Sequence, residues 1–124
     1  MLNKSILEIH EALKNNEITS DELVKESIKK CHEVNDEFNA FVTILDDKKG
    51  SDVTEDVLSG IPYGCKDNYS TRGVLSTGSS NTLKNYVPFF TATSILNLDS
   101  HGSVMVSKCA MDEFGMGGTG TTCH

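Results

Sequence analysis

The chain has 124 residues, and its 18 Asp and Glu residues outnumber its 11 Lys and Arg residues, which gives a net charge of −7 at pH 7. This excess of acid argues against nucleic-acid binding by the chain alone, because phosphate contacts need clustered cations. The length fits one small domain or a piece of a larger one. No apolar run reaches the roughly 18 residues of a membrane span, and the N-terminus lacks a secretory signal. These features predict a cytosolic chain that does not contact a membrane.

Two of the four cysteines precede a histidine, which raises the question of a zinc site. Adjacent ligands without a second close pair make a poor structural zinc site, and no C-x-x-C pair is present. We therefore predict free thiols and no metal, with the cysteines at Cys31, Cys65, Cys109 and Cys123.

The first third of the chain is predicted to be helical. Apolar residues recur at helical spacing in a first helix that ends at Asn15-Asn16, with Ile6, Ile9, Ala12 and Leu13 on its buried face. Thr19 and Glu22 have the spacing of a capping box at the start of a second helix. We expect that helix to end at Asn35-Asp36, with Lys29 and Lys30 in its last turns and a buried stripe of Leu23, Val24, Ile28, Cys31 and Val34.

The remaining residues predict an α/β layout. Segments 38–45, 61–66 and 103–110 have strand composition, segment 46–60 is polar with one weak helical turn near 53–58, and segment 92–100 is a helix capped by Thr91 or Thr93. Strands 61–66 and 103–108, joined by that helix, should form a parallel right-handed crossover. The domain is then a helical part, 1–36, followed by an α/β part, 37–124, with a mixed, largely parallel sheet flanked by helices.

Lys66 closes an apolar strand in the segment GIPYGCKDNY and opens a loop rich in Gly, Ser and Thr. Ligand sites in parallel sheets lie beyond the carboxyl ends of the strands, so loops 67–82 and 111–122 and Lys66 should face one crevice. A strand-end lysine is more often solvated or paired with a carboxylate such as Asp67. Burial can lower a lysine pKa by about 3–5 units, which would make Lys66 a general base. Cys65 should point away from Lys66, into the core.

A base needs a hydroxyl partner, and the loop after Lys66 offers four, at Ser76, Thr77, Ser79 and Ser80. Asp112 and Glu113 are adjacent, so we expect them to diverge rather than serve as an acid/base pair. The stretch Gly115–Gly118 could present backbone N–H groups to an anion. Neither a Walker A motif nor a G-x-G-x-x-G motif is present, so nothing indicates nucleotide binding.

Three segments, GIPYGCKDNY, STGSSNTLKNYVPFFTATSI and KCAMDEFGMGGTG, resemble in order and spacing the N-terminal part of the amidase signature family, and within it the tRNA-dependent amidotransferases. The resemblance implies a longer chain with a Ser–cis-Ser–Lys triad, in which Lys66 stands at the position of the catalytic lysine. It places Met116, Gly117 and Gly118 as candidate substrate-pocket residues.

The resemblance also implies an activity and partners. The family's amidotransferases hydrolyse glutamine and pass the ammonia to partner subunits B and C, which convert Glu-tRNA(Gln) to Gln-tRNA(Gln) with ATP and Mg²⁺. This chain would then need no cofactor of its own and would meet tRNA only through the complex.

The family's two serines lie further along than residue 124, and Ser79 and Ser80 match a variable part of the family loop. We therefore expect the 124-residue chain to be inactive by itself. Two alternatives stay open: a catalytically dead remnant that binds a partner through its N-terminal helices, and a piece of another amidase-signature hydrolase that acts on a small amide.

Overall fold

The computed structural model describes residues 1–123. Its elements are, in chain order, α1 (Ile6–Lys14), α2 (Ser20–Phe38), β1 (Phe41–Ile44), β2 (Pro62–Lys66), α3 (Thr93–Ser100) and β3 (Val104–Cys109), with short 3-10 turns at Asn81–Leu83 and Glu113–Gly115. The three strands form one mixed sheet in the order β1-β3-β2. The predicted α/β class is confirmed.

Reciprocal capping boxes begin both N-terminal helices. The predicted pair is present at α2, where Thr19 Oγ1 accepts from Glu22 N–H and the Glu22 carboxylate accepts from Thr19 N–H. A second box, which was not predicted from the sequence, joins Ser5 and Glu8 at α1. Each box satisfies donors that a helix start otherwise leaves without partners.

Helix α2 continues past its predicted end at Asn35-Asp36. The Asn35 side chain binds both the N–H and the carbonyl of Phe41, so it attaches the helix to β1 instead of ending the helix. The helix ends at Asn39, whose left-handed backbone (φ 48°) terminates the hydrogen-bonding pattern. Lys29 and Lys30 therefore lie in mid-helix, each within 4.0 Å of Glu33, and the prediction that they occupy the last turns is wrong.

The parallel pairing of β2 with β3 is confirmed, and β1 pairs antiparallel with the other edge of β3. Helix α2 covers one face of the sheet, where its residues Val24, Ile28 and Cys31 pack with Val104 and Val106 of β3. The opposite face packs against α3 through Cys65, Met105 and Ile95. The central strand β3 is thus covered on both sides, which suits its apolar residues Val104, Met105 and Val106.

A third apolar cluster packs α1 against α2 and the start of β2 through Ile9, Leu13, Leu23 and Ile61. Ala12 is buried as predicted, whereas Ile6 is 48% exposed. Val34 is only half-buried.

Two further predictions concern local structure. Segment 53–58 is a loop that bends at 55–56 and enters a turn at 57–60, in which Ser59 N–H donates to Asp56 O at 3.0 Å. Helix α3 has Ala92 at its N-cap and no side-chain cap, because Thr91 Oγ1 accepts from Arg72 N–H in the neighbouring loop at 2.9 Å. Within residues 1–123, no helix has the length and apolar character needed to cross a bilayer.

Candidate active site

Lys66 lies at the carboxyl end of β2, opposite Cys109 at the end of β3. The chain turns immediately afterwards: Asp67 N–H donates to Cys109 O at 3.0 Å, and Tyr69 N–H donates to Lys66 O at 3.1 Å. Strand alternation places Cys65 in the core, 2% exposed, and leaves Lys66 exposed. The predicted packing role of Cys65 is confirmed, and burial raises the pKa of its thiol.

The loops that follow β2 and β3 meet, as their shared sheet edge predicts. Phe114 N–H donates to Gly78 O at 2.9 Å, and Met111 N–H donates to Ser79 Oγ at 3.0 Å. Ser80 Oγ donates to Glu113 Oε1 at 2.6 Å. Three successive residues of one loop therefore bind the other loop directly.

Asp67 anchors the first of these loops from inside the protein. Its side chain is fully buried, and its Oδ2 accepts from Thr77 Oγ1 at 2.5 Å, from Thr77 N–H at 3.0 Å and from Ser79 N–H at 3.4 Å. Such a set of donors stabilises a buried carboxylate. Its carboxylate is the ion-pair partner of Lys108 in the described part of the chain, and Lys66 does not pair with it.

The buried lysine of this region is Lys108 of β3, not Lys66. Its side chain is 0% exposed, and its Nζ lies 3.5 Å from Asp67 Oδ1. Nζ also donates to Tyr69 O at 2.7 Å, to Ser76 Oγ at 2.7 Å and to Thr71 Oγ1 at 3.1 Å. Burial lowers the pKa of Lys108, and this effect is opposed by the neighbouring groups of Cys65 and Asp67.

The predicted pairing of a lysine with a loop hydroxyl exists, but it joins Ser76 to Lys108. The two hydroxyls and the carbonyl around Nζ match the three N–H donors of an ammonium group. Ser76 Oγ in turn lies within hydrogen-bonding distance of the carbonyls of Tyr69 and Val74. This arrangement connects the loop after β2 to strand β3.

Ser79 and Ser80, which were not assigned as nucleophiles from the sequence, are buried at 0% and 1% exposure. Ser79 Oγ accepts from Met111 N–H, and Ser80 Oγ both accepts from Thr82 N–H and donates to Glu113. Both hydroxyls therefore have structural partners.

Asp112 organises the second loop. Its carboxylate accepts from Gly120 N–H and Thr122 Oγ1, both at 3.0 Å, and from Thr122 N–H at 3.4 Å. The Gly120 backbone hydrogen bond, followed by the bond from the Thr122 side chain, lowers the pKa of Asp112. Glu113 binds Ser80 instead, so the two adjacent carboxylates diverge, as expected.

The three candidate pocket residues lie on the surface of this loop. Met116 is 77% exposed, and Gly117 and Gly118 are exposed. The N–H groups of Gly115 and Met116 already donate to Asp112 O and Glu113 O within the loop, which reduces the anion-binding capacity expected of this stretch. Among residues 1–123, no hydrogen bond connects the candidate residues to Lys66.

The Cys-His pairs do not converge. Cys31 is buried in the core, whereas His32 is exposed and its Nε2 lies 2.6 Å from Asp46 Oδ1. No group of three or more metal-binding side chains occurs in the described part of the chain. The Cys123-His124 pair includes a residue outside the described range.

Comparison with known proteins assigns the family. The model of the amidase family matches residues 22–123. The A subunit of glutamyl-tRNA(Gln) amidotransferase from Streptococcus pneumoniae is 41% identical over 132 residues that cover 98% of this chain, and its counterpart from Streptococcus thermophilus is 39% identical over the same share. The chain spans 27% of the length of these relatives. The chain therefore belongs to the amidase family.

Solved structures agree with this assignment. The crystal structure of the A subunit of glutamyl-tRNA(Gln) amidotransferase from Thermotoga maritima matches 84% of this chain and 23% of its own, with a TM-score of 0.76 and 28% identity. Native peptide amidase from Stenotrophomonas maltophilia matches 90% of this chain and 25% of its own, with a TM-score of 0.78 and 16% identity, which supports the fold alone.

Proposed function

We propose that this chain forms the N-terminal part of an amide-hydrolysing domain like that of its amidotransferase relatives, in which Lys66 is the general base. The observation that carries the proposal is the place of Lys66, at the shared carboxyl edge of two parallel strands and at the start of a loop bound to the 111–122 loop. The 41% identity to the Streptococcus pneumoniae relative supports the choice of subfamily.

In the proposed reaction, Lys66 takes the proton of a bridging serine, which activates the nucleophilic serine. That serine attacks the side-chain amide carbon of glutamine, and the C–N bond breaks as the proton held by Lys66 passes back to the nitrogen, which leaves as ammonia. Water then attacks the acyl-enzyme, gives its proton to the same relay and releases glutamate and the free serine. Both serines would come from the part of the family domain that this chain does not span. Covering Lys66, which is exposed here, would desolvate its amine and favour the neutral form that a base requires.

We infer partner subunits and a cellular compartment from the similarity to the amidotransferase relatives. The B and C subunits of the complex would receive the ammonia, and ATP and Mg²⁺ would act in one of these partners when Glu-tRNA(Gln) is converted to Gln-tRNA(Gln). No cofactor or metal is assigned to this chain, and tRNA would be reached only through the complex. A cytosolic setting suits the four free cysteines.

A graft tests the proposal. Residues 1–124 replace the matching segment of the Streptococcus pneumoniae relative, and the assembled complex is assayed for glutaminase activity and for formation of Gln-tRNA. We expect activity that Lys66→Ala abolishes and that Lys84→Ala, at another exposed lysine, leaves intact. A folded and assembled graft whose activity survives Lys66→Ala contradicts the proposal. The isolated chain should release no ammonia above its own Lys66→Ala control.

A binding role without catalysis is the second candidate, and one observation favours it. Ile6 and Leu7 of α1 are 48% and 67% exposed, so the first helix offers apolar surface to a partner. A graft that assembles but hydrolyses no amide would support this candidate. Activity on small amides, without activity on glutamine, would indicate another type of amidase.

A further inference from the structure

We propose that Lys108 and Asp67 are positioning residues for Lys66, and that their buried ion pair fixes the turn from which the Lys66 side chain extends. This inference rests on the function proposed for Lys66. Lys108 of β3 would then contribute to a candidate active site whose sequence motif lies on β2.

The turn at residues 66–69 is held by Lys108 at two points. Tyr69 N–H donates to Lys66 O, which closes the turn. Lys108 Nζ then contacts the second residue of the turn through Asp67 Oδ1, at 3.5 Å, and the fourth through Tyr69 O, at 2.7 Å. The backbone on the carboxyl side of Lys66 is therefore tied to a single ammonium group.

The groups that converge on Lys108 explain why a cation occupies this position. They are a carboxylate, a carbonyl and the hydroxyls of Thr71 and Ser76, which together present an excess of acceptors inside the protein. An apolar side chain of the same length would fill the space but leave buried acceptors without partners. A fully buried lysine is rare unless it is paired in this way.

The same pair also connects Lys66 to the second loop. The other Asp67 oxygen accepts from Thr77 and from Ser79 N–H, and Ser79 Oγ accepts from Met111 N–H after β3. Lys66 itself is exposed and forms no ion pair within residues 1–123, so its own side chain does not fix its direction. The position of its amine depends on the turn, and a general base must lie within hydrogen-bonding distance of its proton.

Amide hydrogen exchange of the 124-residue chain tests whether the pair fixes the turn. Lys108→Met leaves Asp67 unpaired and serves as the first variant. The double variant with Asp67→Asn also removes the unpaired charge, so the chain keeps its fold if the single variant does not. We expect exchange at the Asp67 and Tyr69 amides to accelerate roughly tenfold or more, the scale of losing a hydrogen bond to a charged group.

The reference amide is that of Leu45, which donates to Val106 O on the other side of β3, and its exchange should stay unchanged in the double variant. Lys84→Met serves as the matched control, because Lys84 is exposed. Equal acceleration at Leu45 and at the turn would mean that the pair stabilises the whole chain, and it would overturn the inference. Unchanged exchange at the turn would overturn it as well.

The grafted complex tests whether fixing the turn matters for the reaction. In the double variant, kcat should fall about 100-fold with KM unchanged, which is the expected effect of displacing a reacting group by about 1 Å. A mobile turn with unchanged kcat would overturn the positioning role. A graft that stays active after Lys66→Ala would instead refute the proposed function, and the exchange result would then still report on the turn.

Discussion

Thr77 Oγ1 donates to Asp67 Oδ2 across 2.5 Å, and both side chains are buried. Asp67 also forms an ion pair with Lys108, so the order of the 67–82 loop depends on the buried charge of Asp67. A buried charge remains favourable only while its hydrogen bonds are complete.

Replacing Thr77 with valine should therefore destabilise the chain. Valine keeps the shape of threonine but removes the hydroxyl donor to the Asp67 carboxylate, and a hydrogen bond to a charged group contributes about 1.5–3 kcal/mol. Urea denaturation monitored by circular dichroism measures the change in the free energy of unfolding. Thr82→Val is the matched control, because Thr82 is exposed in the same loop. Equal stability of the two variants would contradict the structural role of Thr77.

Ser79→Ala should destabilise the contact between the two loops. Ser79 is 0% exposed, and its Oγ accepts from Met111 N–H, so alanine leaves a buried donor without a partner at a cost of about 1–3 kcal/mol. The control is Ser94→Ala, at an exposed position of α3. Thermal unfolding of both variants gives the comparison, and a Ser79→Ala chain as stable as the unmodified one would count against this contact.

The two adjacent glycines of the second loop should respond differently to alanine. A Cβ at Gly117 would lie 2.6 Å from Asp112 Oδ2, whereas a Cβ at Gly118 meets nothing within 4 Å. We expect Gly117→Ala to cost about 1–3 kcal/mol, as crowding in packed regions does, and Gly118→Ala to be nearly neutral. The Gly120 and Thr122 amides donate to Asp112, so their nuclear magnetic resonance shifts report whether the Asp112 side chain has moved. Equal effects of the two substitutions would contradict the packing of Gly117 on Asp112.

The order of the 111–122 loop should depend on pH through Asp112. The hydrogen bonds of its folded form lower the pKa of Asp112 below its ordinary value of 3.8. The stabilisation is therefore complete above pH 3.8 and disappears as the pH falls through the lowered pKa of the folded form. The Gly120 amide shift should follow this titration, and Asp112→Asn should remove the titration step. A Gly120 shift that titrates in the asparagine variant would point to another group.

Local patterns were sufficient to predict much of the fold. The spacing of Thr19 and Glu22 identified a helix start because a capping box depends on neighbours in sequence. The parallel pairing of β2 and β3 followed from the helix between them. The end of α2 could not be predicted in this way, because Asn35 and Asn39 are the same residue type and only contact with Phe41 distinguishes them.

The site was predicted in part. The place of Lys66, at a strand end between two converging loops, followed from strand and loop order. The burial considered for Lys66 is not found in this chain, where Lys66 is exposed. The buried amine is that of Lys108. The lysine within the strand VMVSKC was the feature of the sequence that could have indicated a buried amine. Its partners Asp67 and Tyr69 lie about 40 residues earlier in the chain, however, and contact Lys108 only after the sheet has formed.

The strand order β1-β3-β2 has a consequence for the order of folding. Within residues 1–123, both outer strands pair with β3, the last of the three in the chain, so neither of these pairings can form until residue 109 has left the ribosome. Helices α1 and α2, with their local capping boxes, can form long before. Pairing over such sequence separations is slow, so β1 and β2 should remain unpaired with β3 until the segment that contains β3 has been made.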